Sequence, residues 1–272
     1  MSRLAETFAH CRSRKRAAFI PFLMAGDPDA RASLELIGAA IAGGADIVEL
    51  GMPFSDPIAD GSVNQRAHVR GLSGGATMAG VLDIVAQARG RWDVPFVLYS
   101  YFNPILRLGV SEFSARAAAS GLDGVLALDL PPEEAVPEFV DTMEREGLDP
   151  IFLLAPTSTK ARIRRVDRLA RGFVYYVART GVTGVRQELP PELLKEARAI
   201  RKAIRSPLAV GFGISTPEQV EQVGSVADGV VVGSALVRLV EEHGAAAADL
   251  LTETVASLTE PLRRPRKGWL RR

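Results

Sequence analysis

The sequence predicts an α/β protein built as a (β/α)8 barrel with one additional helix at its N-terminus. Eight short runs rich in Val, Ile, Leu and Phe recur with little polar alternation, the pattern of strands buried on both faces of a parallel sheet. Stretches with helical apolar spacing separate them, and several begin at Ser, Thr, Pro or Asp and end at Gly, as helix ends do. Eight such units in roughly 250 residues match a closed barrel. An open doubly wound sheet usually has fewer strands and a glycine fingerprint after the first, and none follows "AAFIPFLMA".

The elements follow in order. A short helix from about Arg3 to Arg14 precedes the first strand and is placed to cover the bottom of the barrel. The strands are "AAFIPFLMA" (17–25), "ADIVELGM" (45–52), "PFVLYSY" (95–101), "GVLALDL" (124–130), "DPIFLLAP" (149–156), "FVYYVA" (173–178), "PLAVGFG" (207–213) and "GVVVGSA" (229–235). The helices after them are "ARASLELIGAAIAGG", "MAGVLDIVAQARG", "SEFSARAAASG", "PEEAVPEFVDTMEREG", "TKARIRRVDRLARG", "PPELLKEARAIRKAI", "TPEQVEQVG" and "GAAAADLLTETVASL". A weak repeat sets Asp46, Asp123, Asp149 and Asp228 just before an apolar strand. Those positions lie at the stability face of a barrel, so the four read as capping or turn-forming residues and as poor catalytic candidates.

Composition bounds the rest. Hydrophobic residues at 47% and charged residues at 24% are ordinary for a globular protein, and a net charge of +1 points to no nucleic-acid partner. One continuous barrel domain over 1–260 is expected. The basic tail 261–272, with Arg263, Arg264, Arg266, Lys267, Arg271 and Arg272, reads as a solvated, disordered end. The single cysteine, Cys11, cannot form an internal disulfide. Neither a signal peptide nor an apolar run of about 18 residues is present, so the expectation is a cytoplasmic protein with no membrane association.

Function in such a barrel sits at the C-terminal ends of the strands. Those ends carry Asp27, Glu49, Asp56, Asp60, Asn103, Asp129, Tyr175, Tyr176, Thr183 and several glycines. The loops after the last three strands, "TGVTG", "GFGIS" and "VGSAL", put glycines and hydroxyls where barrels bind phosphate, so the substrate is expected to be a phosphate ester. None of the five lysines falls within a predicted strand, leaving no obvious Schiff-base nucleophile. The three histidines, His10, His68 and His243, read as scattered off the rim, and no metal site is expected. Carboxylates are left to move protons. Strand alternation puts Ile47, Glu49 and Gly51 on one side and Val48 and Leu50 on the other. If the first side faces the barrel, Glu49 stands in a low-dielectric pocket suited to general acid/base work; the alternative is a structural carboxylate paired with Arg. For Asp60 spacing alone decides nothing, because turns favour Asp.

"ELGMPFSDPIADG" resembles the strand 2 signature of the tryptophan synthase α subunits, and "PFLMAGDP", "YFNPILRLG", "DLPPEE", "FLLAPTST", "GFVYYVARTGVTG", "VGFGIS" and "ADGVVVGSALV" follow that family in order. The resemblance implies a (β/α)8 TIM barrel lyase that cleaves indole-3-glycerol phosphate to indole and glyceraldehyde 3-phosphate, with no cofactor in this subunit. It implies Glu49 as the acid/base, Asp60 as the partner of the indole nitrogen and Tyr175 as a pocket residue. It also puts the phosphate on Gly184, Gly213, Gly233 and Ser234 and the indole against Phe22 and Phe212. The loop from Arg179 to Leu189 would close over substrate, with Thr183 touching the Asp60 loop. The implied partner is a pyridoxal-phosphate β subunit in an αββα heterotetramer, met through Met52 to Pro57 and Asn103 to Leu108. A stand-alone indole-releasing lyase and a weakly catalytic regulatory subunit are the alternatives. Met24, Ser62-Val63-Asn64, Leu128 and Ala178 depart from the family's usual residues, and the change at 62–64 adjoins Asp60.

Overall fold

The eight apolar runs form eight parallel strands that close on themselves in sequence order. They are β1 (Ala18–Met24), β2 (Val48–Gly51), β3 (Phe96–Ser100), β4 (Gly124–Ala127), β5 (Asp149–Leu154), β6 (Val174–Val177), β7 (Leu208–Gly211) and β8 (Gly229–Val232), and β1 pairs with both β2 and β8. The computed structural model describes residues 1–135, 138–177, 189–211 and 213–264.

Twelve α-helices are found among the described residues: α1 (Arg3–Ser13), α2 (Ala30–Gly43), α3 (Ser62–Ser73), α4 (Met78–Arg89), α5 (Phe102–Leu108), α6 (Val110–Ser120), α7 (Glu138–Arg145), α8 (Lys160–Leu169), α9 (Pro191–Ala203), α10 (Pro217–Gly224), α11 (Ser234–His243) and α12 (Ala248–Thr259). Three differ from the sequence expectation. α3 is polar and carries Gly71, α5 is a short segment containing Pro104, and α11 begins inside the run expected to be strand, because β8 ends at Val232. Periodicity is a weak guide to such segments.

Alternation sorts the strand side chains into two layers. Val48, Leu50, Leu98 and Val125 face outward into the shell beneath the helices, while Ile20, Ile47, Val97, Leu126, Ile151 and Ala209 fill the barrel interior. Leu4, Phe8 and Cys11, spaced to share one helix face, join that interior cluster from α1 and close the lower end as expected. Burying Leu4 and Phe8 is worth about 1.5–3 kcal/mol each.

The repeated aspartates prove to be clamps rather than caps or turn formers. Asp46 holds Arg16 with two bonds of 2.6 Å and accepts the Phe19 N–H at 2.8 Å. Asp123 holds Arg3 and Arg89 and accepts the Phe96 N–H at 2.8 Å. Asp228 holds Arg201 and accepts the Leu208 N–H at 2.9 Å. Asp149 instead accepts the Ser2 hydroxyl at 2.5 Å. Each of the first three ties the start of one strand to its neighbour with a charge-assisted bond.

At the other end of the chain, a 3-10 turn over Glu260–Arg263 buries Leu262 to 3% exposure, so packed structure continues past residue 260. Residues 265–272 lie outside the described residues. No helix among the described residues is long and apolar enough to cross a membrane.

Candidate active site

Glu49 is delivered to the barrel interior by the alternation of β2. Its neighbours in register are Phe22 on β1 and Val97 on β3, so it is flanked by carbon on both sides. The residue is 0% exposed, and neither carboxylate oxygen has a hydrogen-bond partner among the described residues. The Arg pairing that the sequence left open is not found among the described residues. A carboxylate in that setting resists ionisation, and its pKa is pushed up to about 8, by burial first and by the nearby Asp60 charge second.

Asp60 stands at the end of the loop from β2, two residues before α3. Its side chain is 2% exposed and held by neutral donors. The Tyr101 hydroxyl donates to Oδ2 at 2.8 Å and itself accepts the Ala59 N–H at 2.9 Å. His68 Nε2 lies 3.3 Å from the same oxygen, while the Tyr99 hydroxyl and Asn64 Nδ2 each donate to Oδ1 at 3.4 Å. No Lys or Arg among the described residues pairs with it. His68 therefore belongs to the site, correcting the reading that put it off the rim. It comes from α3, a helix that apolar spacing did not reveal. Tyr99 and Tyr101 also went unassigned, although alternation from Val97 placed Tyr99 on the interior side.

Tyr175 rises from β6 beside the same groups. Its phenol pKa is raised well above the ordinary value by burial first and then by Glu49 and Asp60. Phe22 packs edge-on against Tyr99 at 5.1 Å between ring centres and lies under Gly233, where an added Cβ would meet its Cβ at 3.5 Å. Gly233 caps α11, of which Ser234 is the first residue. The first N–H groups of a helix lack partners within it, which makes that end attractive to an anion. Gly213 takes φ +49, a left-handed conformation that favours glycine, with open space where a side chain would stand. Thr183, Gly184, Phe212, Ala178 and the loop 179–188 lie outside the described residues. Among the described residues no group of His, Cys, Asp and Glu side chains is placed to hold a metal ion.

The model of the family described as tryptophan synthase alpha chain matches residues 8–263. The chain belongs to the tryptophan synthase alpha chain family. It is thus a carbon–carbon lyase of tryptophan biosynthesis. The tryptophan synthase alpha chain of Geobacter sulfurreducens is 52% identical over 263 residues, covering 97% of this chain and 98% of that one. The crystal structure of tryptophan synthase subunit alpha from Legionella pneumophila superposes with a TM-score of 0.89 at 34% identity, covering 96% of this chain and 98% of the other. A chain from the tryptophan synthase α2β2 complex of Pyrococcus furiosus superposes with a TM-score of 0.85 at 42% identity, covering 90% and 98%.

In this chain the loop from β2 is not uniformly accessible. Met52 and Pro53 are buried, Pro53 lying where a Cβ on Gly71 would come within 2.7 Å, so they cannot form the outer contact surface expected of 52–57. Ser55, Asp56 and Ile58 are exposed, Ile58 to 87%, and Leu106 on α5 is 54% exposed.

Proposed function

We propose that this chain cleaves indole-3-glycerol phosphate by a retro-aldol reaction, with Glu49 as the general acid and base. The observation that carries this is a wholly buried carboxylate in the barrel, without a hydrogen-bond partner among the described residues and with a pKa of about 8, beside a second carboxylate held by neutral donors. At neutral pH Glu49 is protonated and gives its proton to C3 of the indole ring. The ring becomes an indolenium whose positive charge at nitrogen is stabilised by Asp60. Glu49, now ionised, takes the proton of the glycerol hydroxyl beside the ring. As the carbonyl forms, the C–C bond breaks and its electrons return to the ring, releasing indole and glyceraldehyde 3-phosphate. One residue serves both steps because its two protonation states are close in energy at working pH.

In this reading Phe22, Phe212 and Tyr175 line the indole pocket, and Gly184, Gly213, Gly233 and Ser234 bind the phosphate. Thr183 belongs to a closing loop. The α11 N-terminus and the open space over Gly213 support the phosphate assignment. The catalytic unit is one domain ending near residue 260, and the basic tail takes no part in catalysis.

The proposed partner is a tryptophan synthase β subunit in an αββα heterotetramer that receives the indole. Exposed Ile58 and Leu106 support a contact surface running over residues 55–59 and α5. Pyridoxal phosphate belongs to that partner, this chain holding no cofactor, and the assembly works in the cytoplasm.

The test is to supply indole-3-glycerol phosphate to the purified protein, with and without a β subunit, and measure indole. Indole release that rises when the β subunit is added is expected. No release in either arm overturns the proposed reaction, and release that ignores the β subunit overturns the partner.

A further inference from the structure

We propose that His68 is a positioning residue for Asp60, acting through a fixed imidazole tautomer; this rests on the reading of Asp60 as the partner of the indole nitrogen.

The tautomer follows from the geometry. His68 Nδ1 accepts the backbone N–H of Phe54 at 2.9 Å, so in the neutral ring the proton sits on Nε2. Nε2 is 3.3 Å from Asp60 Oδ2 and therefore donates to it. The imidazole is 1% exposed and packs edge-on to Tyr101 at 6.2 Å, which limits its rotation. Tyr101 in turn stacks on Phe54 at 4.8 Å and donates to the same Asp60 oxygen. One carboxylate oxygen is thus fixed by two donors whose positions are set by the loop segment around Phe54. Oδ1, touched among the described residues only by the long contacts from Tyr99 and Asn64, is the oxygen left to face the substrate nitrogen.

His68 is a positioning residue because it touches Asp60 and not the reacting atoms. Its two bonds can be separated by substitution. The amide oxygen of Asn overlays Nδ1 and keeps the Phe54 bond alone. The amide nitrogen of Gln reaches the place of Nε2 and keeps the Asp60 bond alone. A merely structural role makes Asn the better replacement, whereas a role through Asp60 makes Gln the better one.

The experiment measures kcat and KM for indole-3-glycerol phosphate in the complete complex with a β subunit, for the wild type, Asp60→Asn, His68→Gln and His68→Asn, with Tm recorded for each. His68→Gln is expected to hold kcat within about threefold of wild type, and His68→Asn to lose about tenfold in kcat with KM little changed. In the Asp60→Asn background, His68→Asn should cost less than twofold more, since the carboxylate it positions is gone. Full kcat in His68→Asn, or an equal loss in both His68 variants, overturns the proposal. An inactive wild type instead overturns the assigned reaction, and an unimpaired Asp60→Asn overturns the role of Asp60.

Discussion

Phe22 on β1 stands in register with Glu49 on β2, so the interior carboxylate has an aromatic ring rather than a donor at its own level on that side. Val97 occupies the matching place on β3. Glu49→Gln keeps the volume and removes the proton, so indole formation should fall by at least about a thousandfold while substrate still binds. Steady-state indole release and equilibrium binding of substrate to the variant check this, and measurable turnover would remove Glu49 from its role.

The same isolation makes Glu49 a source of pH-dependent instability. Its folded pKa of about 8 lies above the ordinary 4.5, so the folded state holds this proton more tightly than the unfolded chain does. Its contribution is fully present below about 4.5 and is lost as pH rises towards about 8, at ~1.4 kcal/mol per unit. Denaturant unfolding of wild type and Glu49→Gln between pH 5 and pH 8 should show the variant gaining on the wild type as pH rises; parallel profiles would refute it.

Turnover should carry the matching signature. The first step needs protonated Glu49, so kcat/KM, which reports the groups of the substrate-free protein, should decline above about pH 8, approaching a tenfold loss per unit. A pH profile of kcat/KM, with substrate well below saturation at every point, measures this directly. A flat profile to pH 10 would mean that another group supplies the proton.

Gly51 tests the packing of the pocket wall. A Cβ there would lie 2.6 Å from Phe22 Cζ and 3.0 Å from Met24 Sδ, so Gly51→Ala must displace the ring. Stability should drop by about 1–3 kcal/mol, and kcat/KM should fall about tenfold as the wall of the proposed indole pocket shifts. Denaturant unfolding and kinetics on the same preparation check both, and wild-type kcat/KM would show that Phe22 does not shape the pocket.

The opposite face of the barrel should separate stability from turnover. Asp123 is 5% exposed and carries Arg3, Arg89 and the Phe96 N–H. Asp123→Ala removes the carboxylate partner of Arg89, which keeps the Gly121, Trp92 and Val94 carbonyls as acceptors, and should cost about 1–3 kcal/mol of stability with kcat per folded molecule unchanged. A lowered kcat at full folding would argue that the lower face communicates with the site.

Much of this was legible in the residues. The eight strands, the N-terminal plug and the separation of Glu49 from Val48 and Leu50 follow from periods of two and 3.6 acting on apolar side chains, which local sequence records directly. α3 was not legible, since Val63 and Ala67 are nearly its only apolar inward positions and the rest of its buried face is His68 and Gly71. The clamps of Asp46, Asp123 and Asp228 looked like turn chemistry because their arginines are supplied 27 to 120 positions away.

The sequence by itself determined the barrel and the sharing of one side of the second strand by Ile47, Glu49 and Gly51, because each depends on the alternation of neighbouring residues. Only the tertiary structure decided that Glu49 has no partner among the described residues and that Asp60 has neutral ones. Those facts depend on what Phe22, Val97, Tyr99, Tyr101 and His68 bring from other elements. A carboxylate's pKa is set by the medium around it, and that medium is assembled only when the barrel closes.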